Sequence, residues 1–221
     1  EEISHGFVRD TSELAEVSLV GLPSLVIIRR YAFIYSSCVT ITLSKLPQLQ
    51  FIDDYVIKGS RSLKTLTLEG LPKLEVIGAN FANDCSSLEE VAFENCASLK
   101  VIGVRQHQVD PYARERGHSA VCDCDLLKSL AFKNLPALQG LECMADDCKL
   151  LEHVQFEDCP LLKSIGKGFA RPSRKRSPAL PPLVVRVSGC HHSTAVGENA
   201  AREVKAAFAP KSPTLELCDS C

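Results

Sequence analysis

A chain of 221 residues, of which 45% are hydrophobic and 24% charged, can fill one large core or an elongated array of repeats. The formal net charge of −2 argues against a protein that binds nucleic acid or membranes through its overall charge. The most apolar stretch, residues 17–28, is too short to cross a bilayer. The chain contains 11 cysteines, an odd number, and no Asn-x-Ser/Thr site, which favours a reducing compartment over secretion.

Residues 1–13 form an N-terminal segment or partial cap, and residues 14–190 contain six near-copies of one pattern. Two of the copies read LKTLTLEGLPKLEVIG (63–78) and LEEVAFENCASLKVIG (88–103). When Leu63 is counted as position one, apolar residues recur at positions one, four, six, nine, twelve and fifteen. A degenerate seventh copy follows at LVVRVSGC (183–190). Position six of the first six copies is Leu19, Leu43, Leu68, Phe93, Phe132 and Phe156.

The alternation of apolar and polar residues around positions four to six predicts a short strand with one buried face. Proline recurs at position ten and ends this strand, because proline has no N–H for the ladder. One coil cannot bury its own apolar face, so successive coils must stack on one another. The pattern predicts a curved solenoid of about six to seven coils, with a parallel sheet on its concave side and short helical or extended turns on its return side.

The period and the L-x-x-L-x-L pattern resemble leucine-rich repeats. The stretch LEVIGANFANDCSSL (74–88) is similar to the units of the BspA-type subfamily, which read roughly L-x-x-I-G-x-x-A-F-x-x-C-x-x-L. The resemblance covers residues 14–190 and implies a right-handed solenoid of the α/β class. Two early copies depart from the pattern, since Arg29 and Asp53 replace the glycine that follows position fifteen.

Seven of the cysteines stand at equivalent places in the repeats, which predicts that they pack in the core as small hydrophobic side chains. They lie at position nine, three residues before position one, or at position one: Cys96, Cys159 and Cys190; Cys85, Cys124 and Cys148; Cys38. Two alternatives stay open. Stacked coils are close enough for disulfides, and soft metal ligands are present in CDC (122–124) and at His191 and His192.

No Gly-rich phosphate loop, G-x-S-x-G elbow or H-E-x-x-H motif is found, so the sequence predicts no enzyme, no cofactor and no metal site. On the concave face, position two alternates in charge from coil to coil. This column predicts a cross-strand ladder of ion pairs and one candidate binding surface. The candidate residues of this concave face are Lys64, Glu89, Lys128, Glu152 and His153.

Two segments interrupt the repeats, an insertion at 104–121 and a basic, proline-rich loop at 170–182. Both begin at nearly the same phase of the repeat and therefore leave the return side together. We expect them to form one basic surface that binds an acidic or phosphorylated protein segment. The residues that would make this contact are Tyr112, Arg114, Arg116, Arg171, Arg174, Lys175 and Arg176.

Residues 191–221 follow the last coil, and GENAAREVKAAF (197–208) has the spacing of an amphipathic helix that caps it. The leading hypothesis is a non-enzymatic scaffold for protein–protein interaction in the cytoplasm, without nucleic-acid binding or membrane insertion. One alternative is a cell-surface adhesin or antigen, as the resemblance implies, if an upstream signal sequence was removed. The other is a redox- or metal-responsive module built on Cys122, Cys143, Cys218 and Cys221.

Overall fold

The structure of the protein is a computed structural model. It describes residues 1–9, 11, 13–104, 119–141, 144–165, 169–170, 183–190 and 214–218; of Ser164 and of 214–218 it describes the backbone. Within these ranges the secondary structure consists of strands and turns. In chain order the strands are β1 (Glu2–Ile3), β2 (Glu16–Val20), β3 (Ile27–Ile28), β4 (Thr40–Ser44), β5 (Phe51–Ile52), β6 (Thr65–Glu69), β7 (Val76–Gly78), β8 (Ala82–Asn83), β9 (Glu90–Glu94), β10 (Val101–Val104), β11 (Val121–Cys122), β12 (Ser129–Lys133), β13 (Gly140–Leu141), β14 (His153–Glu157), β15 (Ser164–Ile165), β16 (Val184–Ser188) and β17 (Thr214–Cys218).

The strands form two long parallel sheets that run along the stack of coils. The front sheet contains eight strands of five residues each, in the order β17-β16-β14-β12-β9-β6-β4-β2. The back sheet contains seven shorter strands, in the order β1-β3-β5-β7-β10-β13-β15. A third pair, β8 with β11, lies on the return path between them. The front sheet is the parallel sheet that the repeat pattern predicts, and each coil adds one strand to it.

The register of the front sheet confirms the alignment of the repeats. Leu66 at position four pairs with Val91, and Leu68 at position six pairs with Phe93. Both positions face the core and are buried, whereas positions three, five and seven face away from it. The phenylalanines at position six stack on one another, with ring centroids 5.4 Å apart between Phe93 and Phe132 and 5.1 Å apart between Phe132 and Phe156.

Position ten explains how the chain leaves the front sheet. In the coil of Leu71, the N–H of Leu74 at position twelve donates to the carbonyl of Leu71 at position nine, over 3.2 Å. Five other coils have the same hydrogen bond, so positions nine to twelve form a tight turn. Proline at position ten, such as Pro72, is the second residue of this turn, where its fixed φ is favourable.

Position eight turns the backbone through the left-handed region in every described coil. Its φ values lie between 49° and 64°. Glycine adopts this conformation without penalty, and Asn and Asp adopt it more easily than other residues. The residues of this column are Gly21, Lys45, Gly70, Asn95, Asn134, Asp158 and Gly189.

The N-terminal segment adds one strand to the back sheet only. β1 pairs with β3, while the front sheet begins with β2. The first coil is consequently uncovered on one side. Leu14 and Leu22, at positions one and nine, are 37% and 40% exposed, whereas Cys38 and Leu46 at the same positions of the next coil are 0% exposed. Residues 1–9 thus cover the first coil in part.

Three expectations need revision or fall outside the described residues. The α/β class is not supported, because the described ranges contain no helix and the return side is made of short strands and turns. The capping helix at 197–208 lies outside the described residues. Further on, β17 pairs in parallel with β16 and extends the front sheet by a strand that the repeat pattern does not predict. The 104–121 interruption is narrower in the structure, since Val104 belongs to β10 and Val121 to β11.

Two glycines at position eight allow a test of the left-handed turn. Gly70 has a φ of 63°, and a methyl group there would meet nothing closer than the Lys45 nitrogen at 3.9 Å. Gly189 has a φ of 62°, but a methyl group would collide with the Asp158 carboxylate and lie 2.9 Å from its backbone nitrogen. We expect Gly70→Ala to lower the free energy of unfolding by about 1 kcal/mol, the cost of the conformation alone. Gly189→Ala should cost more, and urea denaturation that found equal losses would contradict this account.

Candidate functional site

The charged column predicted for the concave face is the first candidate surface, and it lies where each strand of the front sheet begins. Lys64, Glu89, Lys128 and Glu152 each precede the first residue of a front strand. The Lys128 ammonium lies 2.9 Å from the Glu89 carboxylate, and both side chains are partly exposed. This hydrogen bond, followed by the charge of Lys128 and to a smaller extent that of Lys64, lowers the pKa of Glu89. The pKa of Lys128 is raised in return, mainly by Glu89.

Of the predicted ladder, the ion pair between Glu89 and Lys128 is thus formed. His153 lies beside it as the exposed first residue of β14. The same arrangement recurs elsewhere, because charged side chains at equivalent positions of neighbouring coils pair with each other. Lys133 pairs with Glu94 at 3.2 Å at the far end of the front strands. On the turns, Lys100 pairs with Glu75 at 2.8 Å and Lys149 with Asp125 at 2.7 Å.

The outward face of the front sheet changes in chemistry along the stack. Its second and third strands present four threonines, of which Thr65 and Thr40 have hydroxyls 3.4 Å apart. From β6 onward, position seven presents Glu69 and Glu94, and Lys133 follows on β12. This face offers hydroxyl groups at one end and a mixed, mostly acidic set at the other.

The predicted lateral surface of the two interruptions falls on residues outside those that the structure describes. Tyr112, Arg114 and Arg116 lie outside the described residues, and so do the four basic residues of 171–176. The described ends of these segments are part of the solenoid, since Ser119 and Phe169 are fully buried. The basic loop surface stays a prediction.

The comparison with protein families agrees with this geometry. Residues 2–108 match the model of the BspA type leucine rich repeat region, in six copies. Residues 2–108 are BspA-like leucine-rich repeats. Beyond residue 108, β12, β14 and β16 keep the register of the preceding strands and continue the same architecture. No protein of curated function and no solved structure matches the chain.

The cysteines at position nine each donate a hydrogen bond from the thiol to a backbone carbonyl. At position nine, the Cys96 thiol donates to the carbonyl of Glu94 over 3.3 Å, and the Cys159 and Cys190 thiols donate to the carbonyls two residues before them. All three are buried. A thiol at this position thus fills a space that leucine fills in other coils and also binds a carbonyl oxygen.

A second column, here called the pre-strand column, contains Ser36, Ser60, Cys85, Cys124 and Cys148. Three members donate to carbonyls of the preceding coil: Ser60 to Phe33 over 3.0 Å, Cys85 to Ile57 over 3.1 Å and Cys124 to Ala82 over 3.4 Å. The Ser36 and Ser60 hydroxyls are 2.9 Å apart. Serine and cysteine replace each other here because both are small hydrogen-bond donors. The prediction that the regularly spaced cysteines are buried is confirmed.

The cysteines outside these columns give the redox and metal alternative little structural basis. Cys122 is buried and hydrogen-bonded to Asn83 and Asn80. Cys143 and Cys221 lie outside the described residues, as does the side chain of Cys218. Among the described side chains, no group of three or more His, Cys, Asp or Glu residues could hold a metal ion. The described part of the chain also contains no helix long and apolar enough to span a membrane.

An aromatic and cationic cluster on the turns of the first repeats was not predicted. The rings of Tyr31 and Tyr55 stack with centroids 5.5 Å apart, and the Arg30 guanidinium lies 5.7 Å and 5.9 Å from the two centroids. Arg30 also approaches the buried Asp54 carboxylate at 3.5 Å. Both tyrosines have left-handed φ, which is unusual for so large a residue. The spacing of 24 residues between the two tyrosines is the sequence signal that indicates this cluster.

The ladder of the concave face can be tested through the pKa of Glu89. Because this pKa is lowered in the folded protein, the contact stabilises the fold above the pKa of the unfolded chain and is lost as pH falls through the lowered value. We expect Lys128→Met to raise the Glu89 pKa toward its ordinary value, as measured by NMR titration of its carboxyl carbon. Lys64→Met should raise it less, since Lys64 acts by charge alone. An unchanged titration in Lys128→Met would contradict the ladder.

The buried thiols should resist modification while the protein is folded. Burial raises the pKa of Cys96 to about 11 and the pKa of Cys122 and Cys124 well above the usual value. At pH 8 these thiols stay protonated and covered, so iodoacetamide should leave them unmodified. The same residues should react fully in urea, and peptide mass spectrometry measures both states. Rapid modification of Cys96 or Cys124 in the folded protein would show that these thiols are not core residues.

Proposed function

We propose that this protein is a non-enzymatic scaffold that binds a protein partner on the outward face of the front sheet. The supporting observation is the front sheet itself, eight five-residue strands held in one register along the stack. Side chains at positions three, five and seven project from a backbone that its neighbours fix on both sides, and the position-two charges flank them where the strands begin. Such a surface is ordered before it binds, which lowers the entropy cost of binding an extended partner.

The charge pattern of this face supports selection among partners more than it supports high affinity. Lys128 and Glu89 already neutralise each other, and Lys133 and Glu94 do the same. A partner whose charges are complementary to these residues can form ion pairs with them in place of the existing ones. A partner that places like charges opposite them is repelled. The threonine-rich end, with Thr40, Thr42, Thr65 and Thr67, adds donors and acceptors without charge.

The basic loop surface is a second proposed contact of the same scaffold. The sequence places Tyr112 and several arginines in the two interruptions, and these residue types are frequent in the centre of protein interfaces. A partner with an acidic or phosphorylated segment suits that chemistry.

We propose a cytoplasmic location on the basis of the chemistry of the core. Cys38, Cys85, Cys96 and the other described cysteines are unpaired and buried, as is typical of proteins in the reducing cytoplasm. The family match favours the second candidate, a repeat protein of the cell surface. Protease digestion of intact source cells separates the two, since a surface protein is cleaved from outside and a cytoplasmic one is protected.

Three triple variants of the full chain test the scaffold and its surface. The front variant is Lys64→Ala/Glu89→Ala/Glu152→Ala, and the loop variant is Tyr112→Ala/Arg114→Ala/Arg174→Ala. The control removes charges of the turns, with Glu75→Ala/Lys100→Ala/Lys149→Ala. Each tagged protein is used for affinity capture from the source cell, with captured proteins quantified by mass spectrometry. Direct binding of each captured protein is then measured by calorimetry with the purified components.

We expect proteins that bind the unmodified chain and the control variant but are lost from the front variant. Loss from the loop variant alone would move the contact to the basic loops and keep the scaffold function. If the unmodified chain captures nothing above the tag alone, or if all three variants lose the same proteins equally, the proposed function is wrong.

A further inference from the structure

Two thiols stand side by side at the C-terminal end of the position-nine column. β14 and β16 pair in register up to Glu157 and Ser188, so Cys159 and Cys190 each follow their strand by two residues. Parallel strands are about 4.8 Å apart, within the range of Cα separations that a disulfide needs. Each thiol points to the carbonyl two residues before it, at 3.5 Å and 3.4 Å, so the two side chains have the same orientation. The two thiols are also close enough for each to shift the pKa of the other.

No other thiol in the described part of this column has such a neighbour. Cys96 stands between Leu71 and Leu135, as the registers of β9 with β6 and with β12 require. It therefore shares the position, the burial and the carbonyl hydrogen bond of Cys159 but lacks a second sulfur beside it. Cys96 is a matched control for the pair within the same protein.

The contact between the two sulfurs makes them chemically unequal. The hydrogen bond from Cys159 lowers the pKa of Cys190 to about 7, although burial and the Asp158 carboxylate oppose this. The same contact raises the pKa of Cys159. At neutral pH Cys190 is accordingly the better nucleophile, because the thiolate is the reactive form. Cys190 is buried like Cys96, at 3% exposed against 0%, so the neighbouring sulfur is what distinguishes the two residues.

We propose that Cys159 and Cys190 are a redox site that reacts with low-molecular-weight disulfides and closes into a disulfide between the coils of β14 and β16. The Cys190 thiolate attacks one sulfur of glutathione disulfide, whose S–S bond breaks and releases one glutathione thiolate. Cys159 then loses its proton and attacks the Cys190 sulfur of the mixed disulfide, which releases the second glutathione. Two protein thiols are oxidised and one glutathione disulfide is reduced to two molecules of glutathione.

The closed loop comprises residues 160–189, which include the basic loop at 170–182. Oxidation would fix the two ends of this segment to each other across the front sheet. A disulfide restricts the unfolded chain more than the folded one, so the oxidised protein should melt at a higher temperature. The site thereby couples the stability of the last coils to the thiol–disulfide balance of the surroundings.

The test uses the full chain, first reduced and then freed of reductant, and incubated with glutathione disulfide at neutral pH. We expect non-reducing peptide mass spectrometry to find Cys159 linked to Cys190. We also expect a rise in Tm of about 5–10 °C that dithiothreitol reverses. In Cys159→Ser, which keeps a hydrogen-bond donor at this place, glutathione should stay attached to Cys190 and the Tm should not rise. Cys96→Ser should form the same cross-link as the unmodified chain.

Three results would overturn the proposal. The first is an unmodified chain in which Cys159 and Cys190 stay as free thiols after incubation. The second is a cross-link that joins either residue to a different cysteine. The third is glutathione attached to Cys96 as readily as to Cys190, which would mean that the neighbouring sulfur has no effect. The cross-link is mapped by mass spectrometry on the unmodified chain, so the test of the proposal does not depend on whether a variant folds.

Discussion

The whole structure depends on one constraint, that a single coil cannot bury its own apolar residues. The apolar positions of one coil become interior only when the next coil covers them. Leu63, Leu66 and Leu71 are 0% or 1% exposed because coils lie on both sides of them. Leu14 and Leu22 of the first coil have the same positions and stay partly exposed. Stability in such an array is close to a sum of contacts between neighbours, and the ends contribute least.

Stacking in register also decides which polar groups the repeats can carry. A residue at one position lies about 4.8 Å from the residue at the same position of the next coil, so two like charges there would repel each other. At two positions the charges alternate, between Glu89 and Lys128 and between Glu75 and Lys100, whereas Glu69 and Glu94 are like charges that pair in register at position seven. In the buried pre-strand column, small donors that reach a carbonyl follow each other, as Ser60 and Cys85 do.

The sequence predicts those parts of the fold that a side-chain period reveals. The front strands follow from the alternation at Leu66 and Leu68, and the Glu89–Lys128 pair follows from the charge order of its column. Back strands such as Phe51–Ile52 are too short to show a side-chain period. The strand β17 is not predicted because the repeat length is broken before it, since Leu215 follows its register partner Val185 by 30 residues. The left-handed φ at position eight is not predicted from the sequence, because Lys45 interrupts the series of Gly, Asn and Asp at that position. The Tyr31–Tyr55 stack is not predicted from the sequence, because the apolar pattern of the repeat does not include the outward positions of the turns.

Specificity in this protein must therefore come from departures from the repeat. Core positions are nearly interchangeable, since leucine, phenylalanine and cysteine alternate there without changing the register. Outward positions are restricted only by their neighbours in the same column. The residue can therefore change from one coil to the next, as from Lys64 to Glu89, wherever the following coil carries a matching charge. A partner that reads several columns at once can distinguish this stack from another with the same core. The Cys159–Cys190 pair is the inward counterpart, because two departures from leucine in adjacent coils create a reactive contact that neither residue would have alone.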